Sequence, residues 1–388
     1  MKKLYIKLFI TIVLLILVFF TTEINKVAIS ELENRSLAQR PVFDKSTFFS
    51  GRFSKEFDAW LNDRFRGRYK LITLYEHFER CITNRIDNDR MFEGNNGFLF
   101  YKGDDSVENY QNKVLFTDAE LSKINKNLEQ RKQYLNNKGI SFFVVIAPDK
   151  NRVYGENYPS FIHKVNEKGR AEQLVEYLSA HGFDVIYPLQ ELLSAKKQGS
   201  LYYRLDTHWN TYAAFIAYDK IMKNIIKGSN LKQLNIKDFK VANEMEGIIS
   251  PSSPHLPCFK SNDLIKMANI PSNTLAGHYM ETLKLDKCMP YKYQYIRFEG
   301  INGDKGVETI NTQPLNKFSF MMFRDSFAVA MEPYFSETFA HSIYIWDQNF
   351  NMHLKEIETF RPNIVVEEVV ERLLPSLLWD VPPLKEVM

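Results

Sequence analysis

The sequence predicts an α/β protein: a doubly wound, mainly parallel sheet with helices on both faces, preceded by an N-terminal membrane anchor helix. Three observations predict it. The runs ISFFVVIA at 140–147, FSFMMF at 318–323 and NIVVE at 363–367 are short, apolar and continuous, as strands covered on both faces are. Capped amphipathic stretches separate such runs, which is the rhythm of a parallel sheet. A lysine-bearing start followed by an apolar run opens the chain.

In chain order, Met1, Lys2, Lys3 and Lys7 precede the apolar run Leu8–Phe20. Residues 1–22 read as a signal anchor that keeps the amino terminus in the cytoplasm and sends the body across. A cleaved signal peptide is the rival, although no Ala-x-Ala site follows Phe20, and a buried N-terminal helix is a third reading. Residues 23–115 form a polar lead-in region packed on the catalytic domain. Within it, Phe57, Trp60, Leu61, Phe65, Leu71, Leu74 and Tyr75 give Ser54–Arg80 helical spacing. Gly94–Gly97 predicts a tight turn feeding a strand at Phe98–Tyr101.

The catalytic domain spans 116–388. Thr117–Glu120 is a capping box opening a helix that Lys138-Gly139 stops near Asn137. After the first apolar strand, Glu167–His181 is a helix ending at Gly182, and Phe183–Tyr187 is a strand closed by Pro188. Asn210–Ile226 is an amphipathic helix. Residues 228–315, rich in Asn, Pro and Ser, read as an irregular insertion or cap with short strands. Strands at 318–323, 342–346 and 363–367 complete the sheet.

Composition narrows the function classes. Hydrophobic residues make up 45% and charged residues 25% of the 388, enough for a large core. Fifty basic against 47 acidic residues leave a net charge of +3 with no basic block, which argues against nucleic acid as a partner. Twenty Tyr and 30 Phe suit either a Phe-rich core or contacts to sugar rings. Cys81, Cys258 and Cys288 show no metal-ligand spacing, so no metal site is expected. Cys258 and Cys288 read either as a disulfide or as free thiols.

Two stretches carry the residue types of acyl-transfer chemistry. In Asp206-Thr207-His208-Trp209, directly before a helix, the Asp and the His at i and i+2 share a side of an extended backbone. A carboxylate there accepts the imidazole Nδ1–H and stabilises the imidazolium. An ordinary Asp–His bond at a helix entrance is the bland alternative, and Asn210 or Thr211 suits the cap. In Arg324-Asp325-Ser326-Phe327, a buried strand runs into a small-residue segment that can start a helix. A serine there lies at the carboxyl edge of a parallel sheet, near amides able to hold an oxyanion. Its bland alternative is a serine N-cap. Together the stretches supply a nucleophile, a base and an orienting acid.

These motifs resemble those of the alginate O-acetylation proteins of the AlgJ and AlgX type, whose catalytic domain is SGNH-hydrolase-like. The likeness runs through Glu33-Asn34-Arg35-Ser36-Leu37, Asp63-Arg64-Phe65-Arg66-Gly67-Arg68, Gly97–Tyr101 and Ala147-Pro148-Asp149-Lys150. It continues through the two candidate stretches to Arg361–Glu367 with Glu371-Arg372. The resemblance implies Ser326 as nucleophile, His208 as general base and Asp206 as its partner, with no cofactor. The family usually places glycine before the Asp-Ser pair, where this chain has Arg324. No Asp-x-x-His follows the serine, so the order favours the acetylation branch over ordinary SGNH hydrolases. The chain's end near Met388 resembles the single-domain AlgJ arrangement.

On this reading the chain moves acetyl groups onto an exported or cell-wall polysaccharide outside the membrane. The resemblance also implies partners: a membrane-bound O-acyltransferase as acetyl donor and other polysaccharide acetylation or export proteins. Lys150, Trp209, Arg324 and Arg372 are the substrate-binding candidates, with Trp209 and Phe327 placed to exclude water. An acetylesterase with the same triad and a non-catalytic polysaccharide-binding scaffold are the alternatives.

Overall fold

The computed structural model describes residues 35–64, 86–245, 281–287, 292–299, 305–348 and 353–379, with a few isolated positions. The expected anchor at 1–22 and all three cysteines lie outside the described residues. Among those described, no helix is long and apolar enough to cross a membrane. The chain divides into two compact units, residues 1–88 with 266–271 and residues 89–265 with 272–388. Residues 89–115 thus group with the sheet.

In the smaller unit, β1 (Ile29–Ser30) pairs antiparallel with β2 (Arg35–Ser36). Helices α1 (Lys45–Phe49) and α2 (Arg52–Arg64) follow, α1 capped by Asp44, whose side chain accepts from the Thr47 amide at 2.8 Å. Phe53, Phe57 and Trp60, at helical spacing on α2, stack with ring centroids 5.7 Å apart. The helical spacing read over 54–80 is therefore a helix as far as Arg64, and residues 65–73 lie outside the description.

The larger unit opens with the ribbon β3 (Met91–Glu93) and β4 (Leu99–Tyr101), then α3 (Ser106–Tyr110). The predicted capping box starts α4 (Asp118–Asn137): Thr117 accepts from the Glu120 amide at 3.3 Å, and Glu120 accepts from the Thr117 amide at 2.7 Å. Gly139, at φ +72°, takes the left-handed conformation that ends the helix. β5 (Ser141–Ala147), α5 (Lys150–Val153) and α6 (Arg170–Ala180) follow. After Gly182, at φ +81°, come β6 (Val185–Ile186), α7 (Leu189–Ala195) and α8 (Thr211–Ile225).

The stretch expected to be an irregular insertion contributes real strands. β7 (Phe239–Met245) and β8 (Glu281–Lys287) pair with each other, while β9 (Tyr293–Glu299) and β10 (Lys305–Asn311) join the main sheet. Then come β11 (Asn316–Arg324), α9 (Glu332–Thr338), β12 (Phe339–Trp346), α10 (Leu354–Phe360) and β13 (Ile364–Val370), with a 3-10 turn at Glu371–Leu378.

The seven-stranded sheet has the order β6-β5-β13-β11-β12-β10-β9. Its first five strands are parallel, and β10 and β9 are antiparallel at one edge. Strand side chains alternate between two cores. Val145, Ala147, Phe320, Met322, Val366 and Val370 pack with α7, α8 and α9 on one face. Phe142, Val144, Ile146, Met321, Phe323 and Val365 pack with α4, α6 and α10 on the other. This is a three-layer α/β arrangement, and the carboxyl ends of β5, β13 and β11 meet side by side at its centre.

One buried ion pair ties a helix to that centre. Arg131, on the apolar stripe of α4, donates from Nη1 to both carboxylate oxygens of Glu367 on β13 at 2.8 Å, and both side chains are about 1% exposed. Burial pushes the Glu367 carboxyl up to about 7, while Arg131 pulls it down. Arg131→Ala is expected to cost ~3–5 kcal/mol by stranding a buried carboxyl, and Arg131→Leu with Glu367→Leu to recover most of it. Urea unfolding midpoints measure both; equal losses in the single and double variants would contradict this reading.

Candidate active site

The aspartate–histidine motif sits on a loop that folds back on itself. Tyr202 and Trp209 form an antiparallel bridge, the Tyr203 amide donates to the His208 carbonyl at 3.1 Å, and the Asn210 amide to Leu201 at 2.9 Å. Asn210 then caps α8, accepting from the Ala213 amide at 2.9 Å. At the tip the chain bends. Asp206 and His208 therefore meet through an Asx-type turn, not through the extended backbone expected. One oxygen, Asp206 Oδ1, accepts both the His208 amide at 2.9 Å and the imidazole Nδ1 at 2.7 Å. Asp206 is 1% exposed. With Nδ1 donating to the carboxylate, Nε2 serves as the acceptor.

The serine arrives from another layer. β11 ends at Arg324, and Ser326 opens a single 3-10 turn, Phe327–Ala330. Its hydroxyl caps nothing; Asp325 does that work, accepting from the Phe327 amide at 2.8 Å. Asp325 is also bonded to β13 by the Val370 amide at 2.7 Å. Ser326 Oγ is thus free to face His208 Nε2, at 2.7 Å. Burial raises the Asp325 carboxyl above its ordinary range, against the pull of the Phe327 amide and Arg372. The structure so brings Ser326 to the Asp206–His208 pair, although 118 positions separate it from His208 in the sequence. The arrangement can deprotonate a hydroxyl and hold the resulting imidazolium.

Residues 91–247 match the family model described as the SGNH hydrolase-like domain of acetyltransferase AlgX. The matched stretch is about two fifths of the chain and resembles the AlgX-type domain. The match contains Asp206 and His208 and stops before Ser326. Among solved structures, Bacillus cereus PatB1 is similar at TM-score 0.53 and 14% identity, covering 75% of this chain and 99% of that one. PatB1 with a sulfonyl adduct aligns at TM-score 0.52 and 14% identity, covering 76% and 99%. The O-acetyltransferase domain of Pseudomonas putida AlgJ aligns at 0.44 and 16% identity, covering 74% and 92%. At these identities the likeness is one of fold. No curated protein matches the sequence.

The other expected site residues have different places. Lys150 turns its charge to the histidine loop. It is 4% exposed, and Nζ donates to the carbonyls of Tyr203, Arg204 and Asp206 at 3.3, 3.2 and 2.8 Å. It holds the histidine loop in place. Trp209 is fully buried. Its Nε1 donates to the Phe327 carbonyl at 2.8 Å, tying the loop to the serine turn. Phe327 is the aromatic wall beside the base, its ring 5.0 Å from that of His208.

Arg324 is likewise turned inward. It pairs with Glu332 at 2.8 Å, lies 5.3 Å from the Trp346 ring and bonds the Asp325 carbonyl at 3.3 Å. Where the family usually has glycine, this side chain therefore packs beside the serine turn. Arg372 stays near the site: Nη1 meets Asp149 at 2.5 Å, and the guanidinium lies 5.3 Å from the Phe327 ring. Burial opposes its charge, but Asp149 and Asp325 more than offset this and raise its pKa.

Sequence reasoning missed the charged layer beneath the site. Asp149, Glu368 and Glu371 are each at most 4% exposed. Glu371 meets Arg152 at 3.1 Å and accepts from Tyr187 at 3.0 Å, and burial pushes it up to about 7. The signal was present: two adjacent glutamates interrupt the apolar run of β13, and Arg131 interrupts the apolar stripe of α4. Among the described residues, no cluster of His, Cys, Asp or Glu is placed to hold a metal.

The Lys150 contacts give a test. Lys150→Met is expected to lower kcat for a small acetyl ester by roughly 10²-fold through loss of loop position, with KM little changed. A raised KM for glycan with ester turnover untouched would assign Lys150 to ligand binding instead.

Proposed function

We propose that the chain is an O-acetyltransferase that carries an acetyl group on Ser326 and delivers it to hydroxyls of an exported or cell-wall polysaccharide. The observation that carries this reading is the relay Asp206–His208–Ser326, with both links at 2.7 Å. His208 Nε2 removes the Ser326 proton as Oγ attacks the acetyl carbonyl. The oxyanion is held by the Ser326 amide, since the Phe327 amide is spent on Asp325; one such donor contributes about 3 kcal/mol. The imidazolium, stabilised by Asp206, then protonates the leaving group. In the second half, His208 takes the proton of a sugar hydroxyl, whose oxygen attacks the acetyl-serine and frees Ser326.

Thr207, Lys150 and Arg372 line one small polar cavity with Tyr101 and Asp149, with room for a water-sized group. The apolar run at 8–20, read as a signal anchor, keeps the body outside the membrane. The resemblance to the alginate O-acetylation proteins suggests a membrane-bound O-acyltransferase as the source of those acetyl groups. Other acetylation or export proteins complete the partnership. The inward pairing of Arg324 leaves the serine turn unobstructed, which favours catalysis over a scaffold role.

Purified protein with a chromogenic acetyl ester and glycan oligosaccharides is expected to yield acetylated sugar in excess of free acetate. Ser326→Ala and His208→Ala are expected to abolish transfer, and Asp206→Asn to cut kcat by roughly 10⁴-fold. Acetate as the sole product would make the chain an acetylesterase. Full transfer by Ser326→Ala would make it a scaffold.

A further inference from the structure

Glu368 has no part in the chemistry above, yet it is a fully buried acid directly beneath the nucleophile. β13 keeps register with β11 as far as Phe323 opposite Glu367. Beyond that point side chains replace the ladder. Glu368 Oε2 accepts from the Asp325 amide at 3.2 Å, and Asp325 Oδ1 accepts from the Phe327 amide at 2.8 Å. The residues on both sides of Ser326 are thus held by carboxyl groups. The other Glu368 oxygen, Oε1, is buried without a hydrogen-bond partner.

Both acids are 1% exposed, and two charges in such contact away from water do not coexist. Asp325 has the stronger claim to the charge: it accepts amides from Phe327 and Val370 and faces Arg372 and His208. Glu368 keeps the proton. Burial, then the charge of Asp325, pushes it well above the ordinary carboxyl range, with Arg324 pulling the other way. The groups around the pair are therefore Arg324 and Asp325 at the end of β11, Arg372 after β13 and His208 on the loop.

Given the acetyltransfer reading, we propose that Glu368 is a positioning residue for the nucleophile: as a neutral acid it fastens the Asp325–Phe327 turn so that Ser326 stays in reach of His208, and its ionisation loosens that turn. The sign follows from which form fits. The neutral form accepts the Asp325 amide without adding a second buried charge beside the Asp325 carboxylate; the ionised form sets charge against charge. The turn is secure at neutral pH and weakens as pH rises through the raised pKa of Glu368.

The rate at which phenylmethylsulfonyl fluoride labels Ser326 reads the competence of the nucleophile without any acceptor sugar. Peptide mass mapping across neutral to alkaline pH follows it in the whole protein. Wild type is expected to label at Ser326 and to lose rate at alkaline pH. Glu368→Gln, whose amide both donates and accepts, is expected to match wild type at neutral pH and to lack the alkaline decline. Glu368→Ala is expected to label at least about tenfold more slowly. An alkaline decline that persists unchanged in Glu368→Gln, or wild-type labelling by Glu368→Ala, would overturn the assignment. A wild type that never labels at Ser326 would instead overturn the acetyltransfer reading, and the role of Glu368 with it.

Discussion

The hydrogen bond between His208 and Ser326 is the constraint the rest of the structure serves. Its two ends come from elements with no covalent reason to meet, a loop before α8 and a turn after β11. A bond of 2.7 Å tolerates little displacement, so both ends are fixed several times over. Lys150 gathers three carbonyls of the histidine loop, and Trp209 joins that loop to the Phe327 carbonyl of the serine turn. Asp325 and Glu368 fasten the serine turn to β13. Each of these groups is buried, so its bonds are little exposed to competition from water.

That fastening has a thermodynamic cost. The carboxyl edge of the sheet buries Arg131 with Glu367, Arg152 with Glu371, Arg324 with Glu332 and Arg372 with Asp149. Apolar replacements of similar volume often stabilise a core better than such pairs do. What charged pairs add is direction. A bidentate guanidinium or a carboxyl accepting two amides permits fewer arrangements than packed leucines. The region below the site thus exchanges stability for position, as functional sites generally do.

The layered fold was legible because its central strands bury both faces and so read as unbroken apolar runs. β5, β11 and β13 fall within a few residues of ISFFVVIA, FSFMMF and NIVVE. β6 shrinks from an expected five residues to Val185–Ile186 because it pairs on one side only. Short strands were expected within 228–315, but β9 and β10 were not located since they lie at the antiparallel edge, where polar residues alternate with buried ones such as Val307 and Thr309. The catalytic candidates were legible as residue types at element ends. The roles of Lys150, Trp209 and Arg324 were not, because a sequence shows a charge or a ring without the partner that turns it inward. Glu368 was visible only as an anomaly, an acid in a buried strand.

The central claim is that the acetyl group rests on Ser326 on its way between donor and acceptor. Rapid acid quenching of the protein during turnover of an acetyl ester, without acceptor, followed by peptide mass spectrometry, tests it most directly. The account predicts one acetyl group on the peptide carrying Ser326, discharged when glycan is added before the quench. Turnover with no acetyl on that peptide, or with the label on another residue, would contradict it.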